Sequence, residues 1–378
     1  MELLDSPIRR YAWGSQTAIA TLQGRPAPTA EPEAELWMGA HPASPSRLAV
    51  SGMPLTDAIA ADPAGLLGAS GVERFGPRLP FLLKILAAAQ PLSLQAHPTL
   101  AQAREAHAAG HPSYVDAWHK PEMLVALTDF DALCGFRDPA VTAGELAALG
   151  VDGLEQTVGA LRQDDPAAAL HDAVRGLLGK PDPRLVDEVV AACAGRQGPA
   201  YELAGELAAQ YPGDAGVIVA MLLNRVRLHP GEAVWMPAGN LHAYLRGVGV
   251  EIMAASDNVL RGGLTPKHVD VDELLRVLRF EVLDDPVTRA TRLAPGLVTW
   301  PVPVGDFTLH RAVLDAGTPA VRLPGGGPRI VLCVRGGVRV DDGVLPVTLE
   351  AGQAAFAPAT RGEIAVSGEG DVFQAATP

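Results

Sequence analysis

Lysine is scarce in this chain of 378 residues: of 30 basic residues, only Lys84, Lys120, Lys180 and Lys267 are lysines. Arginine meets almost every other need for positive charge. The compact ammonium, whose proton can be removed under the influence of its surroundings, is therefore kept at very few places. Cysteine is equally sparse, and Cys134, Cys193 and Cys333 are odd in number and widely spaced. They suit reduced thiols, not a disulfide framework or a cysteine-rich structural metal site. Basic charge does not dominate either. A net charge of −13 excludes a general nucleic-acid footprint, so an anionic substrate would need a local concentration of cations. No apolar run approaches the length of a membrane span, the best candidate being residues 217–223, and residues 1–6 lack a basic region followed by an apolar one. The expectation is a cytoplasmic protein with no membrane or nucleic-acid partner. What is abundant is apolar residue, 48% against 19% charged, in a chain long enough for two or three domains.

The chemistry starts at Ser93-Leu94-Gln95-Ala96-His97-Pro98. Read as a strand over residues 91–97, it points Leu92, Leu94 and Ala96 one way and Ser93, Gln95 and His97 the other. Two potential metal ligands thus share a face, although an isolated Gln-x-His reads equally well as surface polarity.

Before this stretch, residues 11–15 and 34–39 read as short strands and turns with Trp13 and Trp37 in the core, and residues 54–76 as helical. Residues 80–86 read as a strand in which Lys84 stands among apolar neighbours and requires a partner or a ligand. After it, Thr99 caps a helix, and His107 and His111 at its end read as surface or capping residues. Trp118-His119-Lys120-Pro121-Glu122-Met123 leads into another strand, with Lys120 and Glu122 on one face. Residues 138–213 have helical spacing punctuated by Gly and Pro, and read as an insertion outside the catalytic unit.

Strands resume at Val217 and lead to Gly231-Glu232-Ala233-Val234-Trp235-Met236-Pro237-Ala238-Gly239-Asn240-Leu241-His242. The spacing of Gly, Pro, Gly and His resembles the second signature of the cupin superfamily, with Arg246 where Asn is usual. Gly352 to Thr360 repeats its first half without the second Gly or the His, implying a second jelly roll that binds no metal. The expected fold is mainly β with an α-helical insertion: a discontinuous jelly roll over 1–137 and 214–300, a helical unit over 138–213 and a C-terminal jelly roll over 301–378. On cupin strands, Gln95, His97, Glu122 and His242 form a four-ligand N/O set suited to Zn²⁺, with Mn²⁺, Fe²⁺ and Co²⁺ as alternatives. With one carboxylate, such a centre keeps a net charge of about +1, able to polarise a carbonyl. An iron oxygenase of the same superfamily would favour an HxH pair closely followed by Glu, a pattern Gln95 and the distant Glu122 do not match.

Between the two copies of this spacing lies Ser256-Asp257-Asn258-Val259-Leu260-Arg261-Gly262-Gly263-Leu264-Thr265-Pro266-Lys267, where Gly262-Gly263 lets backbone approach a ligand and Arg261 with Lys267 can bracket an anion. Together with Tyr11-Ala12-Trp13-Gly14-Ser15 and the segments around His97, Glu122 and His242, this run resembles, in order, the signatures of the type I phosphomannose isomerases. The resemblance implies aldose-ketose isomerisation between mannose 6-phosphate and fructose 6-phosphate through a cis-enediol, with one zinc per chain at the four ligands. It also implies proton transfer by Lys120, His119, Asp257 or Lys84, and charge stabilisation or phosphate binding by Arg261. Lys267, Ser93 and Tyr244 become candidates for substrate binding. The expected partner is a small sugar phosphate, and the expected state a monomer. A metal-dependent sugar-phosphate-binding cupin without turnover is the alternative from another functional class.

Overall fold

The computed structural model describes residues 1–317 and 319–378. Its spine is the 13-residue strand His242–Ala254, which serves two neighbourhoods. From His242 to Arg246 it pairs with Phe130–Phe136 and, at His242 itself, with Gln95. From Gly247 to Ala254 it lies between Phe81–Ala88 and Glu122–Ala126. The change of neighbour coincides with a register shift between Tyr244 and Arg246 and with Gly247 at φ 134°, where a Cβ would lie 2.6 Å from the Phe130 ring. Only glycine suits that bend, because L side chains rarely adopt its backbone conformation. One strand can therefore carry His242 at one end and Glu251 near the other toward the same interior.

Strand Phe81–Ala88 is buried along its whole length. Its odd-numbered residues pack in a core shared with Leu309, Ile330, Leu332 and Phe373 of the C-terminal sheet, so the two sheets meet back to back there. Its even-numbered residues, Lys84 among them, face the first jelly roll, and Leu86 and Ala88 join Leu124, Phe130 and Tyr244. A strand covered on both faces reads as continuous hydrophobicity, so its one charge is informative.

The helices of residues 138–213 form as their spacing predicts. Three of them begin with Asp followed by Pro: Asp138, Asp165 and Asp182 each accept a backbone N–H of the first turn. Their apolar faces pack on Leu94, Ala96, Leu133, Leu241 and Leu260, which are the reverse sides of the strands that carry the site. Thr99 forms a capping box with Gln102.

Four expectations need correction. The C-terminal sheet begins at Thr291, not 301, and also takes in Glu2–Asp5 and Arg47–Leu48 from the other end of the chain. Glu2–Asp5 fills the edge beside Ala354–Ala357, and terminal strands carry no local sign of the sheet they will extend. Residues 216–220 are one helical turn, and strand pairing resumes only at Leu223, since a short apolar run has no periodicity to decide between the two. Only Gln95–Ala96 of residues 91–97 has ladder bonds, although the alternation persists, with Leu94 and Ala96 fully buried. Finally, Gly262 and Gly263 approach protein, not ligand. A Cβ on Gly263 would lie 2.6 Å from the Gly216 backbone, and one on Gly262 would touch Leu241 and Leu274.

Candidate metal centre and active site

His97, just after strand Gln95–Ala96, converges with Glu122 and His242, the first residues of two other strands, with potential ligand atoms all within 4.8 Å of one another. Glu122 Oε2 lies 3.4 Å from His97 Nε2 and 3.3 Å from His242 Nε2. All three atoms are buried and none has a hydrogen-bond partner. Left unsatisfied, each would cost about 1–3 kcal/mol, so the convergence demands a common partner. The other imidazole nitrogens show which partner it is. His97 Nδ1 donates to the Asn258 carbonyl at 2.8 Å and His242 Nδ1 to the Asn240 carbonyl at 3.0 Å, leaving both Nε2 lone pairs directed at Glu122. Two neutral imidazoles and a carboxylate with outer nitrogens tied to carbonyls are the donor set of a divalent cation. Gln95 lies directly across the ladder from His242 and from Arg261.

Electrostatics agree. Burial alone would push the Glu122 carboxyl up, but Lys120, His97 and His242 outweigh it and hold it well below the usual carboxylate range. Burial pushes His97 down to about 4, so the imidazole is neutral at physiological pH.

Of this group, Gln95, Lys120 and Glu122 open onto a cavity of about 410 Å³. Ser93, Gln95, Lys84, Lys120, Glu122, Tyr244, Asp257, Arg261 and Lys267 all line it. A wider recess of about 1190 Å³ among the helices shares no lining residue with it and lacks the convergent ligands. Among the expected catalytic and substrate-binding residues, His119 is the exception. Successive residues of an extended segment face opposite ways, so Lys120 enters the cavity while His119 turns outward, its Nε2 donating to Asp306 at 3.0 Å. His119 is therefore not placed for direct proton transfer.

Lys84 has found its partners. Its Nζ lies 3.2 Å from Glu35 and 2.9 Å from Glu251, all three side chains being buried. Burial would lower its affinity for a proton, but Glu251, Glu35 and Glu122 outweigh this and raise it well above the ordinary lysine range. Lys84 is consequently a fixed cation and a poor base. Glu251 has one lysine to share with two other carboxylates, and burial raises it, so it is the member nearest to accepting a proton. The buried Tyr244 hydroxyl closes no hydrogen bond, and burial with Glu251 and Glu122 keeps it protonated.

Several cavity residues were not foreseen. Trp37 is buried and Trp13 packs against the core, as expected, and both also line the cavity with Tyr11; Tyr211 at the end of the helical insertion joins them. His41 was also missed, although the 34–39 segment beside it was noted. The Ala43 amide donates to His41 Nδ1 at 3.3 Å, which places the proton on Nε2, 3.3 Å from Asp257 Oδ1. That bond is the largest influence holding Asp257 below its usual range, against its partial burial and with help from Lys120 and Lys84. A depressed carboxyl adds stability that is complete above the unfolded value, near 3.9, and is lost as pH falls through the folded one. His41→Phe is expected to begin acid unfolding at higher pH than the parent, as followed by circular dichroism. Identical acid transitions would show that the pair does not stabilise the fold.

A family model for the phosphomannose isomerase type I catalytic domain matches residues 1–139. A mannose-6-phosphate isomerase of Escherichia coli strain K12 is 37% identical, covering 98% of this chain and 98% of its own. Another from Schizosaccharomyces pombe is 33% identical over 89% of each. Among solved structures, a point variant of phosphomannose isomerase from Salmonella typhimurium aligns with a TM-score of 0.92 at 34% identity, covering 100% of this chain and 99% of its own. A mannose 6-phosphate isomerase bound with zinc and yttrium gives 0.91 at 35% identity, with the same coverage.

Proposed function

Because the chain belongs to the type I phosphomannose isomerase family, we propose a division of labour for its cavity in the interconversion of mannose 6-phosphate and fructose 6-phosphate. The observation that carries it is the trio of buried, unpartnered ligand atoms, whose Glu122 lines a cavity together with Lys84, Lys120, Arg261 and Lys267. His97, Glu122 and His242, with Gln95 as the fourth ligand, hold one zinc ion per chain. When bound, zinc supplies Lewis-acid stabilisation of negative charge on the substrate oxygens at C1 and C2.

The chain's own residues do the rest. Lys120 Nζ stands 3.1 Å from Glu122 Oε1, beside the oxygens that bind the ion, and is assigned the proton transfer. It takes the proton as the C2–H bond breaks. The electron pair of that bond forms the C1=C2 double bond while the C1=O π pair moves onto O1, which takes up a proton to complete the cis-enediol. O2 then releases a proton as C2=O forms, and the C1=C2 pair takes the proton back from Lys120 at C1. Asp257, anionic and steered by His41, handles the hydroxyl protons of ring opening. Lys84 stays charged and contributes field, not proton transfer. Arg261, held in register with Gln95, and Lys267 at the exposed rim receive the phosphate, with Ser93 as a further donor. Tyr244 offers a phenol donor to the sugar. The binding-only alternative gains no support from the family.

The test is turnover of mannose 6-phosphate in heavy water. Lys120→Met is expected to lower kcat by about 10²–10⁴-fold and to abolish deuterium entry at C1 of the ketose formed, while zinc content stays near one per chain. Undiminished exchange in that variant would assign the proton to another group.

A further inference from the structure

The outward turn of His119 leads to a residue that sequence reading passed over. We infer that Asp306, in the connection between strands Leu297–Thr299 and Thr308–Leu314 of the C-terminal sheet, is a positioning residue for the isomerisation. By accepting from both Trp118 and His119, it sets where Lys120 stands in the cavity. The inference rests on the proton-transfer role assigned to Lys120.

Asp306 is 4% exposed, and both of its side-chain hydrogen bonds leave its own sheet. Trp118 Nε1 donates to Oδ1 at 2.9 Å and His119 Nε2 to Oδ2 at 3.0 Å, so each carboxylate oxygen holds one of two successive residues. A two-point grip on adjacent residues restrains rotation of the backbone about its own axis, which a single bond does not. Rotation is the variable that matters here, because Lys120 and Glu122 reach the cavity only while His119 points away. On the other side, Ser256 Oγ and Asn258 Nδ2 both donate to the Trp118 carbonyl, at 3.1 and 2.8 Å. Asn258 also provides the carbonyl that orients His97. The segment ahead of Glu122 is thus held between the loop bearing Asp257 and a carboxylate from the C-terminal sheet. Arg78 lies over the Trp118 ring at 4.8 Å and its charge faces Asp306, so the buried carboxylate is not left uncompensated. This gives the C-terminal jelly roll, which lacks the convergent ligands, a direct part in the geometry of the site.

The experiment compares Asp306→Ala, Asp306→Asn and Asp371→Ala, the last removing the Arg311 ion pair within the C-terminal sheet. Small displacements of a reacting group cost up to about 10²-fold in rate. Asp306→Ala is therefore expected to lose about 10–100-fold in kcat, with KM within about twofold and zinc retained. Asparagine can still accept from Trp118 and donate to the other tautomer of His119, so Asp306→Asn is expected to recover most of the rate. Asp371→Ala is expected to lower the melting temperature while leaving kcat near the parent's. Should Asp306→Ala fail to fold, His119→Ala, which cuts one of the two bonds, is expected to show the same kcat loss at unchanged KM. Parental kcat in Asp306→Ala alongside an inactive Lys120→Met would overturn the positioning role alone. An active Lys120→Met would overturn the assignment on which it rests. An Asn variant as slow as the Ala variant would leave only a structural role and also overturn it.

Discussion

His242→Ala is expected to lose zinc and, with it, about a thousandfold in kcat. Among the described residues one group of three His and Glu ligand atoms converges within 4.8 Å, and His242 provides one of them from the start of the long central strand. Lewis-acid stabilisation is worth several kcal/mol of transition-state charge, and 1.36 kcal/mol is tenfold in rate, so losing the ion costs about three orders of magnitude. Zinc content by mass spectrometry separates this from a lesion in proton transfer, which would leave the ion in place. A second readout follows from burial. His97 Nε2 and Glu122 Oε2 have no partner within the protein, and a bound ion stabilises the folded state by mass action. A chelator should therefore lower the melting temperature of the parent by several degrees and that of His242→Ala by much less. Full zinc occupancy and parental turnover in the variant would remove His242 from the ligand set.

Lys84→Met is expected to destabilise the fold by about 3–5 kcal/mol, the usual cost of taking one partner from a buried ionic cluster. The methionine fills much of the same volume, so the loss is electrostatic. Glu35 and Glu251 are left buried without the ammonium that bridges them. The pH dependence has a definite sign. Glu251 is already raised by burial, and losing Lys84 raises it further. A carboxyl whose folded value is raised keeps its full stability contribution below the unfolded value, near 4.3, and loses it as pH climbs through the folded value. The urea midpoints of variant and parent should thus lie closer at pH 5 than at pH 8. A gap that narrows toward pH 8 would mean the carboxylates find other cations. Lys84 also faces the cavity against Trp37, so kcat falls too, but the proton exchange assigned to Lys120 should persist in whatever turnover remains.

The contrast between His97 and His119 explains how much of the site was legible. In 93–97 the alternation of small apolar and polar residues puts Gln95 on the cavity side and buries Leu94 and Ala96 under the helices, so local pattern and tertiary outcome coincide. In 118–122 the same period of two was available, yet His119 was grouped with Lys120 by adjacency. Parity already placed the two on opposite faces. His41 left a weaker trace, one imidazole near a tryptophan in a turn, which acquires meaning only beside Asp257. Trp13 and Trp37 belong to the core as their size suggests, but a large aromatic ring gives no sign in the sequence that it also walls a cavity.

Sequence alone determined the ligand types, the faces they occupy, the jelly-roll scaffold around His242 and the helical character of residues 138–213. These properties are local: period two, period 3.6, a Gly-Pro-Gly-His spacing and Asp-Pro helix starts report conditions within a few residues. Tertiary structure decided who faces whom. Lys84 meets carboxylates 49 and 167 residues away, and His119 meets one 187 residues away, through strand registers set by whole sheets. Electrostatic partners and protonation follow from distances and burial that no short window contains. For that reason Lys84 could be singled out as a lone charge in the sequence, while its role as a fixed cation rather than a base emerged only in the folded chain.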